Sequence, residues 1–396
     1  MVFAGLSLDQ APPYSATMKF FITGFIYALF GGVYLAFGGG VIDTVFIHLM
    51  TIGFMTMVMS GAVFQFLPVV GGVRFQRIIL LSNLIYAGLN LGVIGFLVGF
   101  YFYNPILLRV SSAILFLSIA LFALSVIYKL FENRVKNLSI ISIALALVFL
   151  LLGAVAGVWM THSYAGANIG ESYLWVKNLH LHLLFFGWIL LLVMGVSFQV
   201  IPMFWVAKDF HTKTKALFIF TLAGLLVGYL FFVHPIFSFV LALWAMVYAF
   251  VVLHRLYNRK RKLRDYSVNY WFVAMGSLAV AMTLFIFDFA VQMSYKMMAF
   301  GFVYAVISAM IYKIIPFITW FHLSAKGIFE IPTMKEMIGQ NQIKYSFYLF
   351  VVTYLSFVFS SYHIMAQTLF IYGFIVLNAW HIVNFWGVLR LYKKYL

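Results

Sequence analysis

Cysteine is absent from this chain of 396 residues. Its absence excludes disulfide bonds, thiolate zinc sites, iron–sulfur ligation, covalently attached c-type haem and thiol catalysis. Histidine, which occurs ten times, is then the only strong borderline metal ligand in the sequence. We therefore look for transition-metal ligands among the histidines.

Charged residues are also scarce, at 9% of the chain, whereas 65% of the residues are apolar and 20% are aromatic. A soluble domain has about 25% charged and about 45 to 50% apolar residues. Together with a mean hydropathy of +1.06, this composition rules out a water-soluble globule. We expect a protein whose main solvent is the lipid bilayer.

Apolar runs long enough to span a membrane follow one another along the whole chain. They cover about residues 18–38, 45–70, 77–101, 106–130, 138–160, 175–204, 215–233, 236–255, 269–290, 296–321, 343–363 and 366–389. The sequence predicts an all-α integral membrane protein of about twelve transmembrane helices in a single membrane domain, 1–396. None of the nine Asp and Glu residues falls at the centre of a predicted span, which disfavours transporters that depend on buried carboxylates.

The charge balance is strongly basic, with 25 Lys and Arg against 9 Asp and Glu and a formal net charge of +16. The basic residues are concentrated in alternate loops, and six of them lie between Arg255 and Arg264. By the positive-inside rule these loops and both termini are cytoplasmic, in a bacterial-type inner membrane. Topology and contact of the Arg255–Arg264 cluster with anionic lipid explain the charge, so no nucleic-acid partner is required.

One motif occurs three times along the chain. Its first residue is followed at offsets 5, 6, 13, 17 and 20 by a small, an aromatic, a small and a long polar residue and a proline. The copies are His48, Gly53, Phe54, Gly61, Gln65, Pro68; His182, Gly187, Trp188, Gly195, Gln199, Pro202; and Lys296, Gly301, Phe302, Ala309, Lys313, Pro316. The motif predicts three pseudo-symmetric four-helix units, roughly 1–130, 131–255 and 256–396. Twenty residues of helix span about 30 Å, so each first residue is expected at the outer boundary.

The residues at two motif positions have predicted structural roles. The small residue at offset 5 either leaves a gap for a flat group or allows close helix packing, and both interpretations stay open. The polar residue at offset 17 lies three residues before the proline. Gln65, Gln199 and Lys313 are therefore expected to satisfy carbonyls that the proline kink releases.

Most of the histidines are expected near the outer side of the membrane. These are His48, His162, His180, His182, His234 and His363. Burying an imidazole in hydrocarbon without a hydrogen-bond partner costs several kcal/mol of free energy. These histidines are therefore interpreted as a functional site, and hydrogen bonding between helices is the alternative. His180 and His182 project about 200° apart and should face different neighbours. His381, between Asn378 and Asn384, is interpreted as a polar helix contact or a second-tier ligand.

The chain resembles subunit I of the haem-copper oxidase superfamily and, among proteins similar to that subunit, the NnrS family. The resemblance rests on its repeated four-helix unit and on its outer histidines on helices 2 and 6. The resemblance implies haem b, in one or two copies, with His48 and His182 as axial ligands and His180 serving a second cofactor. It further implies electron transfer or the handling of nitric oxide or a related diatomic gas, with a quinol or a cytochrome as redox partner. The scarce outer cations are candidate haem-propionate partners or snorkelling residues: Arg109, Lys177 and Lys296.

The chain departs from the oxidase pattern where oxygen is reduced. Helix 10 has Lys296 in place of a histidine pair, and the residue four positions after His182 is Phe186 rather than tyrosine. We therefore expect no oxygen-reducing copper site of the usual kind. The remaining candidates for copper ligands, or else ordinary exposed loop residues, are His162, His234 and His363.

Two other classes of function stay open. The same bundle would suit a cofactor-free transporter or channel, or a non-catalytic subunit or assembly factor of a respiratory complex. If the chain is an enzyme, the resemblance favours a haem-dependent oxidoreductase. A haem Soret band in the absorption spectrum separates the haem protein from the other two classes.

Reporter fusions test the predicted orientation. A reporter fused after Arg264 is expected to read cytoplasmic, and one inserted between Ala165 and Tyr173 external, because basic loops stay on the cytoplasmic side. Paired alkaline phosphatase and fluorescent-protein fusions provide the measurement. The opposite pattern would contradict the predicted side of every histidine.

Overall fold

The computed structural model of the protein describes residues 12–134, 136–260, 262–263, 265–328 and 330–396. Within these residues twelve helices are long and apolar enough to cross a membrane, and no strand occurs. They are Tyr14–Ala36 (α1), Thr44–Gly71 (α2), Ile78–Tyr101 (α3), Pro105–Glu132 (α4), Leu138–Ala165 (α5), Glu171–Trp205 (α6), Thr212–Phe231 (α7), Pro235–Tyr257 (α8), Tyr266–Ile286 (α9), Gln292–Ala325 (α10), Gln340–Phe359 (α11) and Ile364–Lys394 (α12). The predicted all-α membrane protein of about twelve helices is confirmed. Arg264, the last residue of the basic cluster, lies outside the described residues.

The described residues divide into two compact units. Unit 1 is made of those in Met1–Ile79, Lys262–Ala281 and Val291–Leu396, and unit 2 of those in Leu80–Arg261 and Met282–Ala290. The motif copies that begin at His48 and Lys296 belong to unit 1, and the copy that begins at His182 belongs to unit 2. The division into three four-helix units stays a prediction.

The three motif helices share a backbone irregularity. In each, an eight-residue π-helical segment begins directly after the first motif residue: Leu49–Thr56 in α2, Leu183–Leu190 in α6 and Met297–Tyr304 in α10. A π-helix bonds each N–H to the carbonyl five residues earlier, and it is rare in proteins. The same rare geometry at the same motif position indicates that the sequence repeat is also a repeat of local structure.

The offset-5 glycine is the fifth residue of each π-helical segment, and it is packed against the preceding transmembrane helix. A Cβ atom added at Gly53 would lie 2.9 Å from Cγ of Tyr27 in α1. One added at Gly187 would lie 2.5 Å from Cβ of Phe149 in α5. Both distances are too short for a real Cβ, so in these two copies the space beside the glycine is filled by an aromatic residue.

Gly301, in the third copy, is enclosed in a similar way. An added Cβ would lie 2.5 Å from the hydroxyl oxygen of Tyr354 in α11 and 2.6 Å from that of Ser277 in α9. These two hydroxyls hydrogen-bond to each other at 2.8 Å. Of the two interpretations left open, close helix packing is therefore the one observed. It brings α2, α6 and α10 against α1, α5 and α9 respectively.

The polar residue before the motif proline does not have the expected role in unit 1. Neither polar side-chain atom of Gln65 has a hydrogen-bond partner among the described residues. Lys313 forms an ion pair with Asp265. An ammonium group gains more from a carboxylate than from a carbonyl, so the prediction that these side chains satisfy kink carbonyls is wrong for both.

Substitution of a motif glycine tests the packing. Gly187→Val is expected to lower the free energy of unfolding by about 1–3 kcal/mol, because the added atoms overlap Phe149. Gly224→Val in α7 is the matched control, since an added Cβ there meets nothing within 4 Å. Thermal unfolding of both variants in the same detergent is the measurement. Equal midpoints would contradict tight packing at Gly187.

Candidate functional site

His48 lies at the start of α2 in unit 1 and is half-buried. Its Nδ1 lies 2.8 Å from the carbonyl oxygen of Thr44. A carbonyl only accepts hydrogen bonds, so Nδ1 carries the proton of the neutral ring and Nε2 carries the lone pair. The loop before α2 is held by Asp43, whose carboxylate accepts from the Gly40 N–H at 2.6 Å and the Tyr34 hydroxyl at 3.1 Å. This carboxylate fixes the start of α2 and with it the position of His48.

His182, the equivalent residue in unit 2, has the same arrangement. Its Nδ1 lies 2.8 Å from the carbonyl oxygen of Asn178, and its Nε2 lies 2.9 Å from Oγ of Ser238 in α8. The carbonyl again places the proton on Nδ1, so the Ser238 hydroxyl donates to Nε2. The ring also stacks on Tyr229 of α7, with 4.4 Å between centroids. The His182 imidazole is thus held by the Asn178 carbonyl, the Ser238 hydroxyl and the Tyr229 ring.

His180 faces a different neighbour from His182. Its Nδ1 lies 2.8 Å from the carbonyl oxygen of Gly153 in α5, and a Cβ added at Gly157 would lie 3.0 Å from its ring. The expected divergence of the two imidazoles is confirmed, since one contacts α5 and the other contacts α7 and α8. In this structure His180 joins α6 to α5.

Lys296 occupies the first motif position in unit 1 where the other copies have histidine, and it is buried. Its ammonium group donates to the Phe357 carbonyl at 3.1 Å and to the hydroxyls of Ser360 and Ser361, each at 2.7 Å. An ammonium has three N–H groups, and here all three have acceptors. Lys296 thereby ties the start of α10 to the end of α11. A haem propionate would have to compete with these three acceptors.

The other candidate cations lie at helix ends in unit 2. Arg109, near the start of α4, donates from Nη2 to the carbonyl oxygen of Ala165 at 3.4 Å. This contact places its charge against the last turn of α5, where a cation is favoured by the helix dipole. Lys177 is exposed on α6.

The remaining candidate histidines lie at helix ends and are exposed. His162 has Nδ1 2.9 Å from the Val158 carbonyl oxygen, and Nδ1 of His234 accepts from the Ile236 N–H at 3.2 Å. His363 immediately precedes α12. Across the described part of the chain, no three His, Asp or Glu side chains lie close enough together to hold one metal ion. A copper site at these histidines stays a prediction.

His381 is fully buried in unit 1, near the middle of the 31-residue α12. Neither ring nitrogen has a hydrogen-bond partner among the described residues. The flanking asparagines bond elsewhere: Asn378 accepts from the Tyr304 hydroxyl at 2.9 Å, and Asn384 donates to the Tyr312 oxygen at 3.2 Å. The expected polar contact of His381 is therefore wrong. A buried polar group without a partner costs about 1–3 kcal/mol, which makes His381 a functional candidate that sequence reasoning undervalued.

Buried hydroxyl groups also lie in the interior of unit 1. Ser346 of α11 hydrogen-bonds to Tyr270 of α9 at 2.9 Å. The Tyr312 ring lies 5.2 Å from the His381 ring, centroid to centroid. In the sequence, only the asparagines three residues before and after His381 indicate this polar interior, because its other members lie far away along the chain.

An ion pair lies at the N-terminal end of α9, about one turn before Tyr270. Nζ of Lys313 is 2.6 Å from Oδ2 of Asp265, and Ser267 donates to Oδ1 from its N–H at 3.0 Å and its hydroxyl at 2.6 Å. Burial by itself would raise the pKa of Asp265, but Lys313 and Ser267 outweigh it and lower the pKa below the ordinary value. Asp265 is thus a stable anion that holds the Lys313 ammonium.

Comparison with known proteins finds neither a matching family model nor a matching curated protein. The function of the chain therefore has to be inferred from its own residues.

The Asp265–Lys313 pair predicts a pH dependence of stability. The lowered pKa means that the stabilising contribution of Asp265 is complete above the unfolded-state pKa of about 4, and it is lost as the pH falls through the folded-state value. At neutral pH, Asp265→Asn is expected to lower the free energy of unfolding by about 2 kcal/mol. Wild type and variant should converge in acid.

Thermal unfolding between about pH 3 and pH 7 provides the measurement. Glu132→Gln is the control, because Glu132 pairs with Lys129 on an exposed helix end and such pairs contribute less than about 1 kcal/mol. A constant difference between wild type and Asp265→Asn over the whole pH range would contradict the assignment.

Proposed function

We propose that this protein is a b-type haem-binding membrane protein, similar to haem-copper oxidases and NnrS proteins, that acts in electron transfer or in handling nitric oxide or a related diatomic gas. The observation that supports the proposal is the equivalence of His48 and His182. Both precede a π-helical segment, and both give Nδ1–H to the carbonyl four residues earlier.

Each of these two imidazoles has the hydrogen bonding that suits a ligand of haem iron. A histidine that binds a metal is neutral, coordinates through one nitrogen and usually donates its other N–H to a carbonyl or carboxylate, which orients the ring. The carbonyls of Thr44 and Asn178 take this role for His48 and His182. Because the chain lacks cysteine, the haem would be held without thioether bonds, as in b-type proteins. When bound, haem supplies an iron that carries one electron or accepts a diatomic ligand.

The neighbouring side chains have defined parts in this proposal. Tyr229 stacks on His182 and fixes the plane of its ring, and the Ser238 hydroxyl has to turn away from Nε2 when that atom takes a metal. His180 gives Nδ1–H to the Gly153 carbonyl, as a metal-binding histidine usually does, and is proposed to serve a second cofactor. Oxygen reduction is not part of the proposal, because Lys296 stands where the oxidase resemblance would require histidine.

The proposed setting is a bacterial-type inner membrane with both termini in the cytoplasm, as the distribution of Lys and Arg indicates. His48 and His182 then lie on the outer side. A quinol or a cytochrome is the proposed electron donor.

A cofactor-free transporter is the second candidate. It is favoured by the polar interior of unit 1, where His381 is buried without a hydrogen-bond partner among the described residues. A buried ionisable group inside a membrane bundle commonly marks a transport or proton path. Purified protein that is folded but lacks haem would favour this candidate, or a non-catalytic subunit of a respiratory complex.

Three alanine variants test the haem ligands. His48→Ala and His182→Ala are each expected to reduce the low-spin haem signal, because each removes an imidazole that would hold haem. His254→Ala, which removes an exposed histidine of α8, is the matched control and should keep the signal. Absorption and electron paramagnetic resonance spectra are compared at equal amounts of folded protein. If the first two variants fold and keep an unchanged haem spectrum, the proposed ligation is wrong.

A further inference from the structure

His322 lies in the last turn of α10, in unit 1, and each of its ring nitrogens faces a carbonyl oxygen. Nδ1 lies 2.9 Å from the carbonyl oxygen of Ile318, four residues earlier in α10, and Nε2 lies 2.9 Å from that of Pro12, just before α1. A carbonyl oxygen only accepts hydrogen bonds, and a neutral imidazole carries a single N–H. Both contacts are therefore hydrogen bonds only when the ring carries two protons and is an imidazolium.

The position of His322 in α10 suits a cation. The helix ends at Ala325, three residues after His322. A positive charge in the last turn of a helix is stabilised by the helix dipole. The side chain is also partly exposed, so protons from the surrounding water can reach the ring.

The titratable groups around His322 come from three helices. The Tyr14 ring of α1 lies nearly perpendicular to the imidazole, with 5.6 Å between centroids, and its hydroxyl hydrogen-bonds to Thr319 of α10 at 3.0 Å. Tyr392 of α12 stacks on Tyr14. On α10 itself, Lys326 follows one turn later and is exposed. In the part of the chain that the structure describes, no carboxylate forms an ion pair with His322.

The two carbonyls that face the ring differ in how they are held. The Ile318 carbonyl is part of a helix, and the same contact of Nδ1 with the carbonyl four residues earlier, at 2.8 to 2.9 Å, occurs at His48, His162 and His182. The Pro12 carbonyl belongs to a segment outside any helix. We therefore expect the neutral ring to keep its proton on Nδ1. The Nε2 lone pair then faces the Pro12 carbonyl oxygen and repels it.

We propose that His322 is a proton-binding site that fastens the segment before α1 to the end of α10. In the protonated state both N–H groups donate, and the Pro12 carbonyl is held. As the pH rises, the Nε2–H bond breaks, the proton passes to water without any electron transfer, and the Pro12 carbonyl is released. Histidine changes its charge between about pH 5 and about pH 8, so the contact is present at the lower pH and lost at the higher one.

The site would respond to pH on one side of the membrane. In the orientation proposed above, this end of α10 faces the cytoplasm. The proposal does not depend on haem, so it is tested separately from the proposed function.

Solid-state NMR of the full chain in lipid bilayers tests the proposal. The protein carries ¹⁵N in its histidine rings and ¹³C at its proline carbonyls, and the signals of His322 are those that disappear in His322→Gln. At about pH 5 both ring nitrogens should be protonated, and Nε2 should show a dipolar coupling to a proline carbonyl carbon. At about pH 8 Nε2 should have lost its proton, and the coupling should fall by about twofold or more.

His254→Gln is the matched control. His254 also lies in the last turn of a helix, α8, but its Nε2 contacts the Asn258 side chain rather than a second carbonyl. Its loss should leave the pH response of His322 unchanged. A His322 ring that stays neutral in acid would overturn the proposal, and so would a coupling of equal size at the two pH values. If His322→Gln does not fold, His322→Asn serves for the assignment.

Discussion

The constraint on which the rest of this structure depends is that a polar group inside a bilayer has to find its partner within the protein. The described residues meet it first through helices, which satisfy their own backbone. Side chains then find partners by bonding to backbone oxygens. His48 and His182 donate to carbonyls of their own helices, and His180 donates to a carbonyl of α5. The buried ammonium group of Lys296 donates to three acceptors at the end of α11. Against this background an unpaired buried imidazole such as His381 stands out.

The same constraint explains why close contact between helices matters. Lipid competes well for apolar side chains, so helices in a membrane associate through tight packing and hydrogen bonds rather than through the hydrophobic effect. The motif glycines allow such packing against Tyr27, Phe149 and Ser277 of the preceding helices. Because each glycine lies inside a π-helical segment, packing and local backbone geometry recur together. They place the first motif residue at an equivalent point in α2, α6 and α10.

Local properties of the sequence were sufficient to predict the helices, because span length and hydropathy depend only on neighbouring residues. Helical geometry also predicted that His180 and His182 face different partners. The partners of Lys296 and Lys313 could not be predicted, since they lie 48 to 65 residues away in the chain and only tertiary packing brings them together. For the same reason the sequence could not predict that Asn378 and Asn384 hydrogen-bond to the tyrosines of α10 and leave His381 without a partner among the described residues.

The haem content of the wild-type protein tests the central claim most directly. The chain is purified from cells supplied with haem, and non-covalent haem b is quantified per polypeptide by the pyridine haemochrome assay. With His48 and His182 as the proposed ligands, the account predicts about one or two haem b per folded chain. Folded protein that contains no haem after this treatment would contradict the account.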